Sequence, residues 1–268
     1  MNSHRFVFAG LLGFIATIVQ PQIGLGYTAE GVSKIAKEVT VIIDAKQTSG
    51  SGVIISHQGY EYSVLTNWHV LNSSDSYTVK TGDGQLHQIR PNSIKHIVGL
   101  DLAIATFSSS KLYRVVELGN SDTIAEGSTL YITGAPANLK GIDSRNLLVV
   151  GGQLVGYNPA DSSGYTLIYN NNTMPGMSGG AVMDTNGNLI GIHGRGSRDR
   201  NDQKSGFNLG IPINLFVTNA NQLGIKYTLD RPRIGQTNVP VLPINLRGRP
   251  IVIDGSENTN GACAGEKC

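Results

Sequence analysis

Apolar positions along this chain follow two spacings in succession. In the stretch EGVSKIAKEV, Val32, Ile35, Ala36 and Val39 recur at intervals of three and four, the repeat that lines one face of a short helix. From Val39 to about Tyr227, apolar residues gather instead in short β-branched runs punctuated by Gly, Asn, Asp and Ser. The runs VTVIID, GSGVIIS, YSVLTN, YTVKT, LAIATF, TLYITG, LLVVGGQLVGY, YTLIYN, GAVMD, LIGIHG and FNLGIPI each predict a strand. Eleven runs at close intervals, with no long helix between them, predict a β-barrel or sandwich and argue against an alternating α/β sheet. Helical spacing returns in INLFVTNANQLG, which predicts one closing helix with Gly224 as its stop.

The two ends differ from this body. Near the start, Arg5 precedes an apolar run from Phe6 to Val19, followed by Pro21 and the small residues Gly24 and Gly26. That order predicts a secretory signal peptide over residues 1–26, cut after Gly26, and a secreted or periplasmic product with no stable membrane span. The rival reading is a retained anchor, but fourteen residues fall short of the roughly 20 that cross a bilayer. Residues 30–228 are then the folded unit. After Thr228, prolines and polar residues show no sustained period, so 229–268 read as a tail or extended strap. Both cysteines, Cys263 and Cys268, lie in that tail, which leaves the body to rely on its packed core.

Composition narrows the chemistry. Thirty-four glycines and only 15% charged residues fit many tight turns between short strands. A net charge of +2 is too small to imply nucleic acid as a partner. There is no P-loop and no paired Cys/His set with zinc spacing, so neither a cofactor nor a metal is expected.

Candidate chemistry concentrates in TMPGMSGGAVMDTNGNLIGIHGRG, residues 173–196. Gly176-Met177-Ser178-Gly179-Gly180 can hold a hydroxyl outward on a tight turn while backbone N–H groups point at an oxyanion. Two templates share this pattern. The α/β-hydrolase elbow needs Ser, then an acid, then His on alternating strands and helices. Here the only acid between Ser178 and His193 is Asp184, inside the hairpin sequence DTNGN, so that template fails. The second needs a histidine and an aspartate upstream. SVLTNWHV supplies His69 just after an apolar run, and VGLDLAIATF supplies Asp101 just before one. Asp75 and Asp83 lie in polar loops, and His57, His87 and His96 have no comparable setting.

With GSGVIIS, LTNWHV, DLAIA and GMSGGAV in this order, the chain resembles the trypsin-like (chymotrypsin-fold) serine proteases, in their bacterial HtrA-like and glutamyl-endopeptidase-like branches. The likeness runs from about Val39 to Ile213. It implies an all-β fold of two packed six-stranded antiparallel barrels with the site in the cleft between them. It also implies a secreted endopeptidase acting on proteins or peptides through an acyl-enzyme. Ser178 would be the nucleophile, His69 the general base, Asp101 its orienting partner, and the N–H groups of Gly176 and Ser178 the oxyanion donors. IGIHGRG resembles the segment in which glutamyl endopeptidases place the histidine that meets a P1 glutamate, and Thr173 matches their hydroxyl donor. The implied S1 pocket is Thr173, His193, Asn172, Gly194 and Gly196, with Asn172 where a trypsin would carry an acid. A protonated His193 would add charge there. Met177, where many relatives have an acid that pairs with a new N-terminus, implies a turn preformed or ordered by substrate. The alternatives are an HtrA-like preference for small apolar P1 groups and a non-catalytic peptide-binding relative.

Overall fold

The computed structural model of the chain describes residues 26–73, 76–137, 145–159, 161–222 and 227. Most of the expected leader, the tail with Cys263 and Cys268, Gly224 and Asp75 lie outside the described residues.

Helix α1 (Ala29–Val39) starts where the Thr28 hydroxyl accepts the Gly31 N–H at 3.2 Å, and it buries Val32, Ile35, Ala36 and Val39 as their spacing predicts. The chain runs without a loop into β1 (Thr40–Asp44), then β2 (Ser49–Gln58), β3 (Glu61–Thr66) and a single-turn helix α2 (Trp68–Leu71). Next come β4 (Thr78–Lys80), β5 (Leu86–Gln88), β6 (Lys95–Ile97) and β7 (Leu102–Ser108). These seven strands form one antiparallel sheet in the order β5-β4-β1-β2-β3-β7-β6. The second unit holds β8 (Thr129–Gly134), β9 (Leu148–Tyr157), β10 (Leu167–Tyr169), β11 (Ala181–Met183), β12 (Leu189–Arg198) and β13 (Lys204–Pro212). It closes as a six-stranded barrel, β10-β13-β12-β11-β8-β9, and α3 (Ile213–Gln222) follows.

The fold is all-β and chymotrypsin-like, as expected, with one departure. The first unit is a seven-stranded half-barrel, not a closed barrel of six. Its outer strands β5 and β6 have three residues each, too few to build a closing ladder. Past β5 the curl ends in a single backbone bond, Arg90 N–H to the Thr106 carbonyl of β7 at 3.0 Å.

What fixes the cleft is the core that the two units share. Val32, Ile35 and Val39 of α1 pack in one cluster with Val53 and Leu65 of the first unit and with Ala181, Met183 and Leu189 of the second. Each fully buried side chain of this kind contributes about 1.5–3 kcal/mol. The helix therefore joins the two units, and the residues at their junction are anchored from both sides.

Candidate active site

β3 delivers the chain to the junction at Thr66. Asn67 then donates its side-chain amide to the Asp101 carbonyl at 2.9 Å instead of capping α2. The next turn brings His69 against Asp101, which stands immediately before β7. His69 Nδ1 is 2.6 Å from Asp101 Oδ2, and the His69 backbone N–H donates to Oδ1 at 2.8 Å. An ionised carboxylate only accepts, so Nδ1 carries the proton and Nε2 of a neutral ring keeps its lone pair. A third donor reaches the same carboxylate: the Tyr165 hydroxyl lies 2.5 Å from Oδ2. Burial opposes the charge on Asp101, but the hydrogen bonds from His69 and Tyr165 outweigh it and hold the carboxyl below its usual range.

The serine turn lies between β10 and β11. Gly176 has φ +93°, and a Cβ there would stand 2.3 Å from the Ala137 nitrogen, so only glycine fits. The Pro175 carbonyl accepts the Ala137 N–H at 2.8 Å. In a trans peptide the N–H points opposite the carbonyl, so the Gly176 N–H faces away from Ala137. Met177 is fully buried in the second-barrel core beside Ile132 and Val182. The Ser178 carbonyl accepts the Ser51 N–H at 2.7 Å, and Gly179 N–H donates to the His193 carbonyl at 2.7 Å. The Ser178 hydroxyl is turned to the Gly194 carbonyl, 2.6 Å away, and not to His69. Tyr165 also links the two halves of the site: its ring covers the Gly194 α-carbon while its hydroxyl holds Asp101.

Beneath this turn sits a cation with no counterpart among the expected site residues. Arg145, 13% exposed, donates to the carbonyls of Ala135 at 2.7 Å, Pro136 at 3.0 Å, Gly50 at 3.1 Å and Gly176 at 3.3 Å, and it pairs with Asp44. Ser51 Oγ donates to the same Gly176 carbonyl at 3.1 Å.

Beside Ser178 opens a cleft of about 510 Å³ lined by Thr173, His193, Gly194, Gly196 and Lys204, among others. Asn172 is not part of it. The Thr173 N–H donates to the Asn171 carbonyl at 3.0 Å, a tight turn with Asn172 at its tip, so Asn171 and Thr173 are buried and Asn172 is exposed to solvent. His193 is buried, with Nδ1 2.6 Å from the Tyr169 hydroxyl. Burial, then the charges of Lys204 and His69, push its pKa down to about 3, so the ring is neutral and adds no charge. The Thr173 hydroxyl donates to Asn208 Oδ1 at 2.5 Å. Positive charge comes instead from Lys204, which donates to the Thr173 carbonyl at 2.5 Å. Its neighbours Arg195 and Arg198 pair with Asp161 and Asp202, whereas among the described residues Lys204 has no carboxylate within 4.0 Å.

The remaining candidates fall elsewhere. Asp184 caps its hairpin, accepting the N–H groups of Asn186 at 2.8 Å and Asn188 at 2.9 Å. Asp83 pairs with Lys111 at 2.6 Å. His57 stacks on Tyr62, His87 bonds Tyr113, and His96 stacks on Trp68 behind the site.

A half-barrel and a closed barrel, with His, Asp and Ser carried to their junction in that order, define the chymotrypsin-like class of folds. Residues 50–192 match the family described as the trypsin-like peptidase domain, and the chain belongs to that family. It is 26% identical over 224 residues to the serine protease Do-like HtrA of Bacillus subtilis, covering 81% of this chain and 49% of that one. It is 27% identical over 189 residues to a probable periplasmic serine endoprotease, DegP-like, of Pseudomonas savastanoi, covering 70% and 37%. Among solved structures, the HtrA-type protease AlgW with a tripeptide is similar at a TM-score of 0.59 and 25% identity, covering 72% of this chain and 62% of that one. The chain spans half or less of the length of the two curated relatives.

Proposed function

We propose that this protein is an exported serine endopeptidase that prefers an acidic P1 residue, glutamate foremost. The observation that carries the reading is the two-point grip of Asp101 on His69, which leaves Nε2 of His69 free as a base beside a glycine-built serine turn. The Ser178 hydroxyl leaves the Gly194 carbonyl by rotating about its side-chain bond and gives its proton to His69 Nε2 as it attacks the scissile carbonyl. The tetrahedral oxyanion is held by the N–H groups of Gly176 and Ser178, each worth roughly 3–4 kcal/mol in the transition state. His69 then protonates the leaving amine. Water enters by the same base to release the acyl-enzyme.

Specificity rests on the cleft. A glutamate side chain entering an apolar pocket loses hydration that only donors or charge can replace. Lys204 supplies charge, while His193 and Thr173 supply neutral polar contacts. Export is supported by the leader sequence over residues 1–26 and by the periplasmic designation of the Pseudomonas savastanoi relative. No described helix is long and apolar enough to cross a membrane. A second reading, preference for small apolar P1 groups, is favoured by the likeness to HtrA proteases.

A fluorophosphonate probe, followed by a P1 peptide panel of Glu, Asp, Gln, Val, Phe and Lys, tests these readings. The expected result is labelling lost in Ser178→Ala and cleavage fastest after Glu. Absence of labelling in the unmodified protein leaves the non-catalytic, peptide-binding reading. Faster cleavage after Val than after Glu selects the second.

A further inference from the structure

Tyr165 stands at a point that the proposed machinery does not use. It lies near the end of the segment 158–166 between β9 and β10, in the second unit, yet its hydroxyl is 2.5 Å from a carboxylate in the first. The residue is 1% exposed. Its position is over-determined. Asp161 Oδ1 accepts the N–H groups of Ser163 at 2.8 Å and Tyr165 at 3.2 Å, folding the segment into a tight turn. The Asp101 N–H donates to the Ser163 carbonyl at 3.1 Å, so backbone and side chain grip the same residue. From β12, the Arg195 guanidinium covers the Tyr165 ring at 4.3 Å while its Nη2 bonds Asp161 at 2.8 Å.

Gly194 belongs to the same arrangement. A Cβ at 194 would lie 1.9 Å from Tyr165 Cε1 and 2.3 Å from its hydroxyl oxygen. The ring therefore occupies the volume a side chain on that strand would take, and a glycine in a strand interior marks such a close approach. Because the Gly194 carbonyl also accepts the Ser178 hydroxyl, one glycine touches both the tyrosine that holds Asp101 and the serine.

We infer that Tyr165 is a positioning residue for the Asp101–His69 pair, reaching from the second unit to fix the carboxylate in the first and to draw charge off the oxygen that faces the imidazole. The inference rests on the proposed roles of His69 and Asp101. A carboxylate oxygen shared between two donors is less free to rotate, and the negative charge it presents to His69 is smaller. Tyr165 thus sets both the direction and the basicity of the ring. The other charged or titratable groups around the pair are Arg195 over the tyrosine, Asp161 beneath it, His96 on the Leu100 carbonyl at 2.9 Å, and His193 on β12.

Tyr165→Phe tests this, because it removes one oxygen and keeps the ring against Gly194 and Arg195. In full-length protein with ¹⁵N-labelled histidine, the titration of His69 is expected to move up by about 0.5–1 pH unit, since the carboxylate returns charge to the ring. With the best substrate of the peptide panel, kcat is expected to fall roughly tenfold with KM nearly constant, the size of one lost hydrogen bond to a charged group. The acidic limb of kcat/KM should move with the NMR titration. A folded variant whose His69 titrates at the wild-type value overturns the inference, even if it melts earlier, because a merely structural tyrosine would lower stability without moving the ring. The NMR readout needs no substrate. A wild-type protein inert to the fluorophosphonate would sink the peptidase reading and leave the Tyr165 titration to be judged on its own.

Discussion

Replacing Arg145 by methionine removes a cation that lies under both units and under the serine turn. Its guanidinium bonds Gly50 in the first unit and Ala135, Pro136 and Gly176 in the second, with Asp44 as its carboxylate partner. A hydrogen bond to a charged group is worth about 1.5–3 kcal/mol, and the several here share one donor group and do not add in full. Asp44 is 47% exposed and stays solvated when its partner is removed, so the loss expected here is that of the charged hydrogen bonds to the carbonyls, about 1.5–3 kcal/mol. For a domain of this size, each kcal/mol lowers the melting temperature by about 2–4 °C, so the variant should melt roughly 3–12 °C lower. A kinetic loss should accompany it. Freed of Arg145, the Gly176 carbonyl keeps, among the described residues, the Ser51 hydroxyl alone, and the peptide planes that aim the oxyanion donors gain freedom. The rate of fluorophosphonate labelling, measured well below both melting temperatures, should fall about 10–100-fold, approaching the loss of one oxyanion donor. Arg145→Lys keeps the charge but not the fork and should fall between the two. A methionine variant that melts within about 2 °C of wild type would refute the structural reasoning. One that melts early but labels at the wild-type rate would refute the catalytic half.

Two further outcomes are expected. Because His193 is neutral, it should treat glutamate and glutamine at P1 nearly alike, and Lys204→Met should lower the Glu-to-Gln ratio of kcat/KM about fivefold, one exposed ion pair's worth; an unchanged ratio would refute the assignment of charge to Lys204. His193 also ties stability to pH. Its folded pKa of about 3 lies below the ordinary value of 6.5, so the unfolded chain binds the extra proton between them. Its contribution is complete above pH 6.5 and is lost as pH falls toward 3, by at most about 1.4 kcal/mol per unit. Urea unfolding across that window should be less pH-dependent in His193→Gln, and equal slopes in the two proteins would contradict the burial argument.

Much of the architecture was legible because burial imposes a period. All eleven β-branched runs contain strands, and both amphipathic stretches are helices. Leu86–Gln88 and Lys95–Ile97 escaped because three residues, each set centred on a histidine, cannot display alternation. The open edge of the first unit follows from those same short strands, and the length of a ladder is not written in hydrophobicity. Within the site, His69, Asp101 and Ser178 announce themselves by local context, whereas Tyr165, Arg145 and Lys204 act from loops and a strand end, where no period points to them. Gly194 was the available clue to Tyr165, since a glycine inside an otherwise apolar strand implies something pressed against it. Nothing local foretold that His193 would be almost wholly buried at the cleft wall: all six residues of LIGIHG are buried, so the run has no alternation from which its facing could be read.

Met177 has a consequence for how such a protein is governed. The residue before the serine is an uncharged side chain sealed into the second barrel, so no newly cut terminus has a carboxylate to seek there. The turn is held instead by what already packs on it, the Met177 side chain below and the Arg145 and Ser51 bonds to the Gly176 carbonyl, and the Ser178 hydroxyl still has to leave the Gly194 carbonyl when substrate arrives.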